Sequence, residues 1–237
     1  MKFIIFLLFV ALQLSSYSQT QAIRSMEGTG NGWMNDLMIL DVNGQPFKSQ
    51  YENVEGSPYL FSDWKFASIQ LSKGKKLENI KVKIDLCSQE AHFVTINNVE
   101  MVTPIGLVKE ILLIDSTVGK INTYQLRTGY PAVDYQNENN FYQLLVDGHT
   151  QLLKSVRKKI NAQKNDVSGE TIKVFDTYEE YYVFNNGQIK RLKKDKEFVL
   201  ELLKSQKDKM DLFLQANKTN FKNPDHLVKL FSYYNSL

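Results

Sequence analysis

Catalysis needs polar side chains that converge, and few spacings in this chain force convergence. Its three histidines, His92, His149 and His226, stand far apart, with no His-x-x-x-His or His-x-His pattern for a metal. No Gly-x-Ser-x-Gly turn presents a nucleophilic serine, although a triad drawn from distant segments leaves no mark in spacing. Gly28, Gly30 and Gly32 alternate, but a phosphate cradle needs a preceding strand and a helix that opens with Lys-Ser/Thr, and neither is present. Carboxylates are plentiful, Asp134, Glu138, Asp147, Glu179 and Glu180 among them, so a pair of the glycosidase kind is available by number. Glu179 and Glu180 are not that pair, because neighbours in a strand point to opposite faces. The pattern names no catalytic residue, no cofactor site and no metal site, and favours a protein that is not an enzyme.

Binding groups are better represented. One basic run holds Lys154, Arg157, Lys158 and Lys159, and a second holds Lys190, Arg191, Lys193, Lys194 and Lys196. If neighbouring, they would form a patch for an anionic head group, glycan or partner; the plainer reading is solvated strand ends and a helix entry. Lys193 and Lys194 also oppose the dipole of the helix that follows them. Tyr59, Trp64, Tyr130, Tyr135, Tyr142, Tyr178, Tyr181 and Tyr182 include rings at strand ends and in loops, where they can stack on sugars or fill ordinary core and rim positions. The candidate binding surface is Tyr59, Trp64, Tyr142, Tyr182, Lys190 and Arg191. Cys87 is the single cysteine, so no internal disulfide forms. Strand parity puts it with Lys81, Lys83 and Asp85 on the less buried face, as an inert, half-covered thiol.

These groups must be carried by strands. Ile80, Val82, Ile84 and Leu86 alternate with Lys81, Lys83 and Asp85, one aliphatic row on one face. With Phe66 to Leu71, His92 to Ile96 and Val99 to Val102, and turns at Gly74 and Asn97-Asn98, the stretch from Ser57 to Thr103 reads as a β-meander. Trp33 to Val42 reads as a first strand before an Asn43-Gly44 turn, and Phe47 to Gly56 as irregular. Val108 to Ile114 and Ile121 to Leu126 follow, then a loop over Gly129 to Asn140. Phe141 to Val146, Asp147-Gly148 and Thr150 to Val156 form a hairpin with a type I′ turn. Lys158 to Gly169 reads as a long, mobile polar loop, and Tyr178 to Phe184 with Ile189 to Leu192 as a last hairpin around Asn185-Asn186-Gly187. From Asp195 to Asn217 the apolar residues fall on one stripe, which predicts an amphipathic helix of five to six turns. Asn223 caps a second helix with Pro224 at its first position and Asp225 at its positive end.

The address is legible at the start. Lys2, the apolar run Phe3 to Leu14 and the small residues of Ser16-Tyr17-Ser18 read as a signal peptide over residues 1–18, too short for a bilayer span of about 20 residues. Residues 19–32 read as a flexible mature N-terminus. A formal charge of +3, or +2 without Lys2 (3 − 1), is too mild to argue for nucleic acid. A hydrophobic content of 43% is enough for a packed core, and no later segment is apolar enough to span a membrane.

Gly56-Ser57-Pro58-Tyr59-Leu60, the strand pair at 66–86, Phe141-Tyr-Gln-Leu-Leu with Gly148, the Tyr181-Tyr182 strand and the closing Leu230-Phe-Ser-Tyr-Tyr-Asn235 carry a resemblance. Over roughly residues 54–236 the chain resembles a group of exported proteins of Bacteroidetes-type Gram-negative bacteria. The resemblance implies an envelope address, periplasmic or extracellular, and no particular chemistry. Ile84-Asp85-Leu86-Cys87 stands where the group shows an Asn-Tyr type strand, which argues against a shared role for Cys87.

The expected fold is a single α+β domain over 33–237: mostly antiparallel sheet (β-rich 33–192), then two C-terminal amphipathic helices (195–236) packed back on it. The expected role is a non-enzymatic binding module of the envelope, with an envelope protein, a lipid or a glycan as partner. A lipid carrier is one version, by architecture alone. The alternatives are a glycan-directed hydrolase and a structural accessory subunit of an envelope complex.

Overall fold

The computed structural model describes residues 51–95, 98–117, 120–164 and 169–237. The signal peptide, the glycine row, the strand expected at 33–42 and the Asn43-Gly44 turn lie outside the described residues, as do Asn97 and Gly119.

Among the described residues the chain is a sheet-dominated α+β fold. Its strands are β1 (Val54–Glu55), β2 (Lys65–Leu71), β3 (Lys76–Asp85), β4 (Glu90–Val94), β5 (Glu100–Val102), β6 (Val108–Thr117), β7 (Lys120–Arg127), β8 (Tyr142–Val146), β9 (Thr150–Lys164), β10 (Thr171–Asn185) and β11 (Gln188–Arg191). They form one sheet in the order β1-β10-β9-β8-β7-β6-β2-β3-β4-β5, and β11 also pairs with β10. Only β1 is parallel to its neighbour; it arises inside a stretch expected to be irregular.

The aliphatic row of β3 is buried as its alternation requires, with Ile80, Val82, Ile84 and Leu86 all inside. Leu77 joins them although it lies three residues from Ile80. The cause is a bulge: Asn79 sits at φ 60°, and the pairing slips from Ala67↔Ile80 to Ile69↔Leu77. Asp85 departs from the expected exposed face and is wholly buried. Tyr51 donates to its Oδ2 at 2.7 Å, while its Oδ1 accepts from the amides of Cys87 (2.7 Å) and Ser88 (3.1 Å). The carboxylate thus organises the β3–β4 turn, and its bonds offset the desolvation that burial imposes.

That turn meets β9. The Lys158 amide donates to the Leu86 carbonyl at 2.9 Å, and Gln89 Nε2 donates to the Leu86 and Val156 carbonyls. The sheet therefore curls until strands distant in its order touch. Side chains of β2, β3, β6 and β7, with Phe141, fill the curl as one apolar cluster. Between Leu60, Ile84, Leu86, Leu126, Phe141 and Val156 only about 10 Å³ stays open, about the least that could hold one water.

β9 and β10 pair without a slip from Thr150↔Asn185 to Lys164↔Thr171. The polar stretch from Lys158, expected as a loop, is thus mostly ladder. A two-stranded ribbon wet on both faces needs no apolar alternation, so its sequence looks like a loop while its backbone bonds are met by the partner strand. One face of β8–β10 is covered by helices and the other by the loop over 128–140.

The helices are α1 (Lys196–Leu202), α2 (Lys207–Ala216) and α3 (Pro224–Asn235). The single long helix expected from Asp195 is broken after Leu202 by a turn of 3₁₀ helix at Lys204–Gln206. Ser205 there bonds the Tyr234 hydroxyl at 2.7 Å, and the break lets Val199, Leu203 and Met210 all reach the sheet. Asp195 caps α1 and Asn223 caps α3 through side-chain bonds to Phe198 N and Asp225 N. Leu227, Leu230, Phe231 and Tyr234 of α3 pack with Val146, Leu152, Tyr181 and Val183.

Candidate functional site

Strand parity assigns the side chains of the β9–β10 ribbon. Leu153, Ser155, Arg157 and Lys159 stand opposite Tyr182, Glu180, Tyr178 and Asp176, so these eight share the face toward the 128–140 loop. Glu179 and Tyr181 point the other way: Glu179 pairs with Lys154 at 2.6 Å and Lys194 stands 3.9 Å over the Tyr181 ring. The separation of Glu179 from Glu180 follows the alternation.

Under the loop is a stack of rings. Tyr142 meets Tyr182 edge-on at 5.4 Å, Tyr130 meets Tyr142 at 5.3 Å, and Phe184 meets Tyr130 at 5.1 Å. Tyr142 and Tyr182, expected at the binding surface, are both 0% exposed. They are the floor of the site, because Gln136 and Asp134 of the loop close over them. Gln136 Nε2 donates to the Tyr182 hydroxyl at 3.1 Å, and that hydroxyl donates to Asp134 Oδ2 at 3.0 Å. Burial is the main reason that both phenols are held above their ordinary range.

Glu180 is the centre. The Tyr135 hydroxyl donates to its carboxylate at 2.5 Å, Arg191 Nη2 reaches Oε1 at 2.6 Å and Arg157 Nη2 reaches Oε2 at 3.4 Å. Burial works to raise this carboxyl, but the Tyr135 bond and the two guanidinium groups outweigh it and hold it below the usual range. Glu180 therefore anchors these three groups chiefly as the anion.

Two rings stand at the surface here, and Glu180 anchors the first of them. Tyr135 follows Asp134, which sits at φ 53°, and its ring packs on Arg157 with the guanidinium carbon 3.8 Å from the ring centroid. One ring face is thus occupied and the other looks out; the residue is 55% exposed. Tyr178 is 38% exposed, and its hydroxyl accepts from Asn161 Nδ2 at 3.1 Å. Lys159 stands between the two rings, 5.8 Å from one centroid and 5.7 Å from the other. Asp176, Asn161 and Gln163 continue the row as mutually bonded polar groups.

The other expected residues fall elsewhere. Tyr59 and Trp64 flank the Lys83 ammonium of β3, 4.9 Å from each ring. Burial, with Glu100 and Asp85 nearby, pushes the Tyr59 phenol up to about 12. Lys190 is exposed but pairs opposite Val183, on the helix face, so of the second basic run Arg191 alone is shown contacting the site. Lys158 turns away to donate to the Ser57 and Tyr59 carbonyls at 2.6 and 3.0 Å. His149 is exposed against Tyr234, His226 Nδ1 accepts from Asn220 N, and His92 is buried beside Glu100 at 2.7 Å. No cluster of metal-ligating side chains occurs among the described residues, and none of the described helices is long and apolar enough to cross a membrane.

Tyr135, Arg157, Lys159 and Tyr178 thus make a surface that composition alone did not single out. The signal for three of them was available, since Arg157, Lys159, Tyr178 and Glu180 share one parity once the hairpin register is known. Tyr135 sits in a loop and had no such signal. Compared with protein-family models, with curated proteins and with solved structures, the chain matches none.

Proposed function

We propose that the protein is an exported, non-enzymatic binding module of the cell envelope, and that its ligand is an acidic glycan held on the loop face of β9 and β10. The observation that carries this reading is the rigid pair of exposed rings, Tyr135 and Tyr178, with Lys159 between them. Rings fixed before binding lose little freedom when a sugar stacks on them. Lys159 supplies positive charge for a carboxylate, and Asp176, Asn161 and Gln163 supply bonds for hydroxyl groups. Lys2 with its apolar run, and the resemblance to exported proteins, support the envelope address. A lipid carried inside the curl finds little support, because side chains fill it where Leu86 faces Val156.

The hydrolase reading has one observation in its favour: Asp134 and Glu180 both approach the Tyr182 hydroxyl, at 3.0 and 3.3 Å. A glycosidase pair must present both carboxyls to the sugar, whereas both oxygens of Glu180 are taken by Tyr135, Arg191 and Arg157, so binding is the better account.

Affinity electrophoresis through gels containing polygalacturonate tests it. The full mature chain should be retarded, and Tyr135→Ala or Tyr178→Ala should weaken retardation about tenfold, the loss of roughly 1.4 kcal/mol. Equal mobility with and without the polysaccharide, or retardation indifferent to both substitutions, would overturn the reading. Release of reducing ends from the polysaccharide would favour the hydrolase instead.

A further inference from the structure

Among the described residues the outer edge of β10 is covered at its two ends and unpaired between them. β1 pairs with it at Lys173 and Val174, and β11 pairs from Tyr182 to Asn185. Beyond β11 the Leu192 amide donates to the Tyr181 carbonyl at 2.7 Å. Along an antiparallel strand the backbone groups of successive residues point to alternate sides. Since Tyr181 faces this edge, the N–H and C=O of Glu179 and Thr177 face it too, while Tyr178 and Glu180 bond toward β9. No strand pairs with Asp176 through Glu180 on this side among the described residues. Thr177, Tyr178 and Glu179 are correspondingly exposed.

We propose that this recess takes an extended peptide segment of a partner protein, which adds to the sheet as a short strand between β1 and β11. From Phe175 to Tyr181 the gap spans about 20 Å at about 3.3 Å per residue, room for about five residues. The occupant must offer amide and carbonyl groups at the period of a strand, a demand that an extended peptide meets.

The flanking strands decide between a peptide and a second copy of this chain. β1 and β11 each stand one strand spacing, about 4.8 Å, outside β10. A second copy would bring its own β1 and β11 against these before the two β10 edges came within bonding distance. A lone extended segment has no such flanks and enters freely.

The edge also lacks the devices that keep open strands from pairing. Proteins protect such edges with lysine, proline, bulges or unpaired charge. The run Asp176-Thr-Tyr-Glu-Glu-Tyr181 contains neither Lys nor Pro, and its register with β9 has no bulge. Its carboxylates are already engaged: Glu179 with Lys154, Glu180 with Arg157 and Arg191, Asp176 with Asn161 and Gln163. A docking strand therefore meets little free negative charge. This proposal does not rest on glycan binding, which uses the face of the ribbon and not its edge.

A phage-displayed library of linear nine-residue peptides, selected against the full mature chain, provides the probe. Selected peptides are synthesised, and their affinity is read by fluorescence anisotropy. Thr177→Pro and Glu179→Pro each remove an outward N–H and leave the β9 ladder intact, as proline at a strand edge allows. Binding should weaken at least tenfold in each, while Thr177→Val, which keeps the backbone donor, should bind as the parent does. Tyr135→Ala should leave peptide binding unchanged, so that failure here and failure of the glycan reading stay distinguishable. If the proline variants lose their circular dichroism, amide exchange in the parent decides: the Thr177 and Glu179 amides should exchange fast in the free protein and slow on peptide addition. A selection that yields no binder, binders indifferent to both prolines, or amides already protected without peptide would overturn the proposal.

Discussion

Asn235 occupies the space that Gly148 leaves by having no side chain. A Cβ at Gly148 would stand 2.6 Å from Asn235 Nδ2, and Gly148 sits at φ +138°. From there Asn235 donates to the Asp147 and Thr150 carbonyls at 3.0 and 2.8 Å and accepts from Thr150 N at 3.2 Å. The last turn of α3 thus completes the β8–β9 turn, which the sequence suggested would close by itself. Asn235→Ala should cost about 2 kcal/mol, from bonds lost to backbone groups that remain partly buried. Gly148→Ala adds both a clash and a strained φ. The double variant should be less damaging than the sum of the two by more than 0.5 kcal/mol, roughly the limit of additivity for separate sites. Urea unfolding midpoints of the four proteins check this.

Glu180 should make the fold sensitive to acid. Its carboxyl lies below the ordinary value of 4.5 in the folded chain. A lowered carboxyl contributes stability above its unfolded pKa, and that contribution disappears as pH falls through the folded pKa. Glu180→Gln should therefore lower the melting temperature at pH 7, and the gap to the parent should narrow as pH falls below 4.5. A gap that stays constant down to pH 2 would show that Glu180 acts by shape alone.

Cys87 should be a slow thiol. Burial first, and the nearby Asp85 carboxylate second, raise it to about 11, and the thiolate is the reactive form. Alkylation by iodoacetamide at pH 8 should lag well behind that of a free cysteine and climb steeply toward pH 11. In the folded chain the neutral thiol is favoured, so its contribution to stability is complete below about pH 9 and fades as pH rises through 11. Cys87→Ser should retain glycan and peptide binding.

The helices divide by burial. Phe231 is 0% exposed in the cluster of α3 with β8–β10, so Phe231→Ala should cost about 3–5 kcal/mol. Phe213 stacks on Tyr233 at 4.6 Å but stays half-buried, and Phe213→Ala should cost less than half as much. Thermal melts followed at 222 nm compare the two. Equal losses would mean that Phe213 bears on the sheet more directly than its stacking suggests.

Much of the fold was legible because burial writes its period into the chain. The β3 row, the β8–β9 hairpin and the capped α3 each carry that period or a turn signal. The errors cluster where tertiary contacts override it. Asn79 inserts a bulge that no pattern marks, and Asp85 is drawn inside because Tyr51 and two turn amides need an acceptor. Lys158 to Lys164 form strand without any apolar alternation to announce it. The α1–α2 break is set by Ser205 meeting Tyr234, a partner far along the chain. At the site, Tyr142 and Tyr182 look from the sequence like rings available to a ligand. Their burial depends on Gln136, whose approach is a property of the loop's fold.

The seam between Leu86 and Lys158 has a bearing on time as well as shape. From β6 to β10 each strand pairs with the one made just before it, so this half can zip together from nearest neighbours. The bond from the Lys158 amide to the Leu86 carbonyl joins segments far apart in the chain and must wait for both lobes. Long-range closures of this kind are slow steps in β-rich folds. The Lys158 amide should be among the last to gain protection during refolding, and among the first lost when the native chain opens partway. The curl is then a latch between two lobes, and its release would bare the packing around Val156 and Phe141 while α3 stays docked.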